Sequence, residues 1–292
     1  MIFNPAARGE KARRFRRHLD EIAKECTFKL TTAPGDARRM ATEAVVEGFS
    51  IVAAAGGDGT VNEVLNGIGD APGGFGKACL GVLPLGTVNV FARELAIPSR
   101  LEAAWGAIRQ GRERRIDLPK ADFLLGGQKR SRSFAQLGGA GLDARAIELV
   151  KWDLKKKIGP LAYVIAGLHA LLDAPAKITV ATDERSYTGG LVLIGNGSLY
   201  GGPFRIFPDA QLSDGLLDVC VFPKVNWLTL ARCGPRLLLS GSLPKSAIVS
   251  FRAQSFVLSS ASPAPLELDG ELIGQLPATF TIQREALRVI VP

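Results

Sequence analysis

The spacing of apolar positions changes character along the chain. Ala12, Phe15, Leu19 and Ile22 stand at helical spacing within a basic segment, and Ala37, Met40, Ala41, Ala44 and Val45 do so again behind Asp36, which reads as an N-cap. Between and after them lie short apolar runs at 28–30, 51–55 and 79–83. Each closes on glycine or turn residues before another helical pattern, such as the one carried by Leu101, Ala104, Trp105 and Ile108. Strands alternating with helices predict a parallel, doubly wound sheet. After Asp117 the texture becomes β runs separated by turns, at 123–126, 134–137, 178–181, 191–194, 217–222, 255–258, 266–268 and 287–291. This predicts a second, mainly antiparallel domain, with helical insertions near 142–172 and 227–239. The expected layout is α/β, with domains at 1–116 and 117–292.

Composition narrows the class. A chain of 292 residues that is 47% hydrophobic and 22% charged is neither disordered nor fibrous, and its length suits one or two domains with real cores. Cys26, Cys79, Cys220 and Cys233 form no Cys-x-x-Cys pair, and the chain has only 2 histidines, so no zinc or haem site is expected and a reducing cytosol fits. The opening MIFNPAARGE lacks the charged head and apolar stretch of a signal peptide. No run of about 18 apolar residues predicts a membrane span, so membrane contact is expected to be peripheral, at the cytoplasmic face.

The net charge of +8 calls for an anionic partner: nucleic acid, a bilayer or a small ligand. Basic residues gather at 8–17, 109–115, 129–132 and 151–157, with neither an RNA-type aromatic motif nor finger spacing, so nucleic acid is not expected. Each cluster alone reads more readily as a solvated helix face or loop.

The sharpest local signal is Ala55-Gly56-Gly57-Asp58-Gly59-Thr60, which follows an apolar strand and opens a helix-like segment. At such a turn glycines let the backbone approach a phosphate, the helix start supplies unpaired N–H groups, and Asp58 can meet magnesium or a nucleotide hydroxyl. The bland alternative is an ordinary Gly-rich βα turn. Pro84-Leu85-Gly86-Thr87-Val88-Asn89 repeats the design after the next strand, so the two turns are expected to face one crevice. The Gly-x-x-x-x-Gly-Lys-Ser/Thr loop is absent, and Gly139-Ala140-Gly141-Leu142-Asp143-Ala144 lacks the downstream acid of a dinucleotide fingerprint.

Taken in order, Asn4-Pro5, the Gly-Gly-Asp-Gly-Thr turn with Asn62-Glu63, Pro-x-Gly-Thr-x-Asn, Ser213-Asp214-Gly215 and Asp269-Gly270-Glu271 resemble the diacylglycerol kinase catalytic-domain family. That family includes sphingosine and ceramide kinases and bacterial soluble lipid kinases. Each piece is common, whereas the ordered set is specific and runs from Asn4 to the C-terminus. The resemblance implies a Rossmann-like three-layer nucleotide-binding domain, related to those of NAD kinase and phosphofructokinase, followed by a β-sandwich domain. The active site would lie between them, and ATP and Mg²⁺ would be required.

Carried over by position, the resemblance implies that Gly57, Asp58, Gly59 and Thr60 hold ATP phosphates and magnesium. Gly86, Thr87 and Asn89 would form the opposite wall, with Asn4 and Glu63 counted among the nucleotide-binding residues and Thr32 a candidate contact to the nucleoside. Glu271 matches the family's general base, which would take the proton from a lipid hydroxyl (of diacylglycerol, ceramide or a sphingoid base) as it attacks the γ-phosphate. Read alone, Asp269-Gly270 is a hairpin turn with Glu271 exposed. Asp214, with Asp117 behind it, matches a structural magnesium site; the alternative is an Asp-Gly turn without an ion. Asp143 matches a position near the lipid head group, and also reads as a helix cap.

Lys151, Trp152, Lys155, Lys156 and Lys157 before the apolar 160–172 stretch are expected to face an anionic membrane, or else to end a helix in solvent. Two departures stand out. Arg8 occupies the place of a common loop glycine, and Val90 follows Asn89 where many relatives carry Asp or Asn. A non-catalytic lipid-binding protein on the same fold and a soluble-metabolite kinase of NAD kinase type are the competing classes.

Overall fold

A computed structural model of the chain describes residues 1–5, 22, 24–142, 144–145 and 176–292. The helix expected across 12–22 and most of the 142–172 insertion lie outside the described residues, together with Asp143, Lys151, Trp152, Lys155, Lys156 and Lys157.

The first half is the expected parallel sheet. Strands β1 (Ile2–Phe3), β2 (Lys29–Leu30), β3 (Ile51–Gly56) and β4 (Cys79–Pro84) run parallel in the order β2-β1-β3-β4, with Ile2 opposite both Lys29 and Ala54, and Ala54 opposite Val82. β3 and β4 are almost continuously apolar because both faces are covered, which is how buried parallel strands read. Among the described residues, the helices in this half are α1 (Asp36–Val46), α2 (Asp58–Asp70), α3 (Gly74–Lys77), α4 (Val90–Glu94) and α5 (Leu101–Gln110).

Asp36 proves to be the first helical residue, not the cap. Gly35 caps α1 with φ 88°, and the Asp36 carboxylate reaches backward to accept from the Thr32 and Ala33 amides and the Thr32 hydroxyl. Three donors and the nearby Arg39 guanidinium hold that carboxyl well below the usual range.

The second half is built from β5 (Arg112–Leu125), β6 (Gln128–Ser133), β7 (Leu137–Gly141), β8 (Ile178–Ala181), β9 (Ser186–Gly189), β10 (Leu191–Gly195) and the short pair β11 (Leu199–Tyr200) and β12 (Phe204–Arg205). It continues through β13 (Leu217–Phe222), helix α6 (Trp227–Ser240), β14 (Val249–Ala253), β15 (Ser255–Ser260), β16 (Pro265–Leu268) and β17 (Glu271–Val291). One antiparallel layer runs β14-β13-β10-β7-β16; the other joins β6, β5, β17, β15, β8 and β9. Their shared core holds Phe134, Phe256 and Phe280, with Phe256 stacked on Phe280 at 5.1 Å and Phe134 edge-on to Phe280 at 6.0 Å.

β17 joins the two halves. It leaves the β16 hairpin, pairs along β5, and shifts register between Gln275 and Ala278 and again between Gln283 and Leu287. It then enters the first sheet parallel to β4, with Val289 opposite Leu80. Ile116, Leu118, Leu287 and Val289 therefore belong to the first core. The expected separate strand at 287–291 is the end of β17, and the 116/117 division falls inside β5. The strand expected at 134–137 starts only at Leu137 and continues through Gly141.

Helices α1 and α2 cross closely at Gly67. A Cβ there would stand 2.7 Å from Ala41 Cβ and collide with the Arg38 carbonyl, while the Thr42 hydroxyl donates to the Gly67 carbonyl at 2.9 Å. Gly67→Val is expected to lower unfolding stability by about 1–3 kcal/mol, read as a reduced midpoint in denaturant titration.

Candidate active site

The two glycine turns interlock. β3 ends at Gly56, and Gly57 is the extended N-cap of α2, whose first-turn N–H groups have no partner within the helix. β4 ends at Pro84, after which the Leu85 and Gly86 amides both donate to the Gly56 carbonyl, at 2.9 and 3.2 Å. A Cβ on Gly86 would lie 2.5 Å from Gly57 Cα, so only glycine permits this backbone approach. Asn89, buried and at φ 53°, locks the second turn: its Oδ1 accepts from the Gly86 amide at 2.9 Å and its Nδ2 donates to the Gly86 carbonyl at 2.7 Å. Thr87 projects from the same turn and is exposed.

Asp58 lies between the turns. The Phe91 amide at the start of α4 donates to its Oδ1 at 3.3 Å. Burial raises the Asp58 carboxyl above its ordinary range; amides of residues 89–91 work against that shift and the Asp269 charge adds to it. Asn4, anchored by its amide to the Ala55 carbonyl at 3.0 Å, donates from Nδ2 to the buried Thr60 hydroxyl at 3.1 Å. Both carboxylate oxygens of Glu63 cap α1, accepting from the Gly35 and Ala37 amides at 3.1 Å each. Thr32 is exposed on that same loop.

The opposite wall comes from the far end of the sequence. Asp269 and Gly270, at φ 48° and 82°, form the two-residue turn between β16 and β17, the positive-φ pair that a type I′ hairpin requires. Asp269 is also buried, and its carboxylate accepts four hydrogen bonds: from the Ala135 amide and Asn62 Nδ2 at 2.7 Å each, and from the Gln136 and Leu137 amides at 3.0 and 3.1 Å. This fixes the hairpin tip against α2. Glu271, the next residue but one, is thereby held beside the α2 N-terminus, where a Cβ on Gly59 would stand 2.7 Å from its Oε1. Arg132 from β6 donates to Glu271 Oε2 at 2.6 Å and to Asn62 Oδ1 at 2.8 Å.

One crevice therefore gathers Asn4, Gly57, Asp58, Gly59, Thr60, Gly86, Thr87, Asn89 and Glu271. Thr32 and Glu63 stand on its α1 side. Asp117 and Asp214 meet elsewhere. Asp117, fully buried, accepts from the Gly215 amide at 2.6 Å and the Glu285 amide at 2.8 Å, while Asp214 accepts from the Leu216 amide at 3.0 Å and pairs with Arg252. Arg252 also meets Asp218 at 3.3 Å, and a Cβ on Gly215 would meet Arg284 Nε at 2.7 Å. With one arginine paired to Asp214 and another beside the turn, this donor set does not fit a bound magnesium. No group of three or more potential metal ligands occurs among the described residues.

Sequence reasoning gave no role to Asn62 and Arg132, and saw Asp269 only as a turn residue. Asn62 lay inside a quoted motif, and its signal in the sequence was a polar residue among the apolar Val61, Val64 and Leu65; it proves fully buried. Arg132 sat in a cluster read as solvated, with its partner 139 residues away.

Residues 1–121 match the diacylglycerol kinase catalytic domain and residues 138–291 the YegS C-terminal NAD kinase beta sandwich-like domain. The chain is 30% identical to the diacylglycerol kinase of Bacillus subtilis (strain 168) over 304 residues, covering 100% of this chain and 95% of that one. It is 32% identical to the diacylglycerol kinase of Staphylococcus aureus (strain MRSA252) over 305 residues, covering 100% and 91%. A crystal structure of a putative diacylglycerol kinase from Bacillus anthracis str. Sterne superposes with a TM-score of 0.79 at 23% identity, covering 100% of this chain and 96% of that one. Fold and relatives together define a two-domain nucleotide-dependent kinase. The chain belongs to the diacylglycerol kinase catalytic-domain family of ATP-dependent lipid kinases.

Asp269→Ala leaves three buried amides and the Asn62 side chain without their acceptor. It is expected to cost about 3–5 kcal/mol of unfolding stability, measured by denaturant titration.

Proposed function

We propose that the chain transfers the γ-phosphate of ATP to a hydroxyl of a membrane lipid at the inner face of the membrane. Diacylglycerol is the first candidate acceptor, because the relatives above carry that name; ceramide and sphingoid bases share the same hydroxyl chemistry. The observation that carries this reading is the Glu271 carboxylate beside Gly59, at the mouth of a helix N-terminus flanked by two backbone-only turns. Phosphoryl transfer asks mainly for alignment and charge neutralisation. The amides at the start of α2 and around Gly86 would face the phosphates, with Thr87 on the rim. Glu271, fixed by Arg132, would receive the proton of the attacking hydroxyl.

Magnesium fits at Asp58, whose burial raises the energy of its charged form so that a nearby cation would be stabilising. One carboxylate with phosphate oxygens and waters is a common magnesium set. Bound there, the ion would neutralise charge developing on the phosphates. Lys151, Trp152, Lys155, Lys156 and Lys157 remain the proposed membrane-facing cluster of the 142–172 insertion, with Asp143 near the lipid head group.

Label transfer from γ-labelled ATP to a micellar panel of diacylglycerol, ceramide, sphingosine, monoacylglycerol and undecaprenol tests the acceptor. Glu271→Gln is expected to reduce kcat by about 10²–10⁴-fold with ATP affinity retained. Undiminished turnover in that variant would overturn the base assignment. Chelation with EDTA is expected to abolish transfer yet leave the thermal midpoint of the free protein unchanged, since Arg252 already neutralises Asp214. A fall in the midpoint would place a structural metal at that turn.

A further inference from the structure

Among the described side chains of helix α6, one face is anchored in the core. Cys233 is buried and Leu237 packs with Ile206, Phe207, Cys220 and Phe222 against the outside of β10 and β13. The other face is solvent-exposed and ordered by chemistry. Trp227, Ala231, Pro235 and Leu239 recur every four residues along it, with Trp227 56% and Leu239 88% exposed. The adjacent row holds Leu228, 59% exposed, then Arg232 and Arg236. An apolar stripe thus runs along α6 with a guanidinium margin on one side.

The stretch of chain that contains it carries charge of one sign. From residue 219 to residue 266 the sequence contains no Asp or Glu, while Lys224 before the helix and Lys245 after it are exposed alongside Arg232 and Arg236. Arg252 is the other cation of this stretch and is committed to Asp214 and Asp218. Apolar side chains with a tryptophan at one end and a border of cations complement an anionic bilayer surface: the stripe enters the acyl boundary and the cations meet the phosphates.

The position of the helix points the same way. Its C-cap, Gly241, faces Arg205 and Pro203, where a Cβ would lie 3.8 Å from the Arg205 amide nitrogen and 4.0 Å from the Pro203 carbonyl oxygen. In the same β11–β12 hairpin, a Cβ on Gly202 would lie 3.8 Å from Val88 of the second glycine turn. The Leu239 end of the stripe is therefore linked through one hairpin to the wall of the crevice.

We propose that the exposed face of α6 docks the protein on an anionic membrane surface and turns the crevice toward the bilayer. The proposal deepens the lipid-acceptor reading by supplying the element that presents the site, and it does not depend on Glu271. It is tested with the full-length chain by flotation with phosphatidylcholine vesicles against equimolar phosphatidylcholine–phosphatidylglycerol vesicles. Leu239→Glu and the pair Arg232→Glu with Arg236→Glu are compared with the parent protein. Each variant is expected to lose about tenfold or more of its binding to the anionic vesicles. Each should retain its thermal midpoint and its transfer to a short-chain diacylglycerol in monomeric solution.

Unchanged vesicle binding in both variants overturns the proposal. So does a concentration-dependent dimer that the variants dissociate while vesicle binding persists, because the face would then join two copies of the chain. Should Leu239→Glu lower the midpoint, the arginine pair alone decides. Vesicle binding that depends on α6 in a protein that phosphorylates no lipid leaves the docking intact and removes only the acceptor assignment.

Discussion

The carboxylate of Asp269 sits where the two halves of the molecule meet, and its four hydrogen bonds tie three segments together: the β16–β17 hairpin that carries it, the stretch leading into β7, and helix α2 through Asn62. A buried anion is costly unless its lone pairs are filled, and here three backbone amides and the Asn62 side chain fill them. The geometry that places Glu271 next to Gly59 follows from this one contact, since Glu271 is two residues along a rigid turn. Arg132 then reads both partners at once, through Asn62 Oδ1 and Glu271 Oε2. The site is held from beneath by a polar network, while the glycine turns contribute backbone and little side chain.

Much of this was legible in the sequence where the pattern is local. The runs at 51–55 and 79–83 are apolar because both sheet faces are covered, and the helices at Leu101–Gln110 and Trp227–Ser240 keep their 3.6-residue period. The glycine turns were legible for the same reason, as close approach needs glycine wherever it occurs. What escaped was set by distant partners. Asn62 and Asp269 are 207 residues apart, and no local spacing announces such a pair. β7, reading Leu-Gly-Gly-Ala-Gly, has no alternation because its neighbours crowd it: a Cβ on Gly138 would stand 3.0 Å from Leu268 Cδ2 and one on Gly141 2.6 Å from Ile178 Cδ1. Asp36 shows the converse, a residue with the right identity for a cap that satisfies the preceding loop instead.

The two acidic sites illustrate how burial and partners sort similar side chains. Asp58 and Asp214 each stand in an Asp-Gly pair at a turn. Asp214 has a guanidinium, so its charge is spent within the fold. Asp58 has amide dipoles from residues 89–91 and a second carboxylate nearby, and burial still raises its carboxyl. Position 90, where the family resemblance implies Asp or Asn, is a buried valine here. The second turn instead meets Asp58 of the first, through the Phe91 amide.

β17 carries a consequence for how the molecule is made. Its last residues complete the sheet begun by the first residues, with Val289 beside Leu80 and with Leu287 and Val289 in the same core as Phe3. A chain emerging from the ribosome cannot close the sheet of β1 to β4 until β17 has been made. Until then β4 presents an unpaired apolar edge, a state exposed to mispairing. Assembly of the first domain thus waits on the second, and the glycine turns reach their final frame only once β17 is in place.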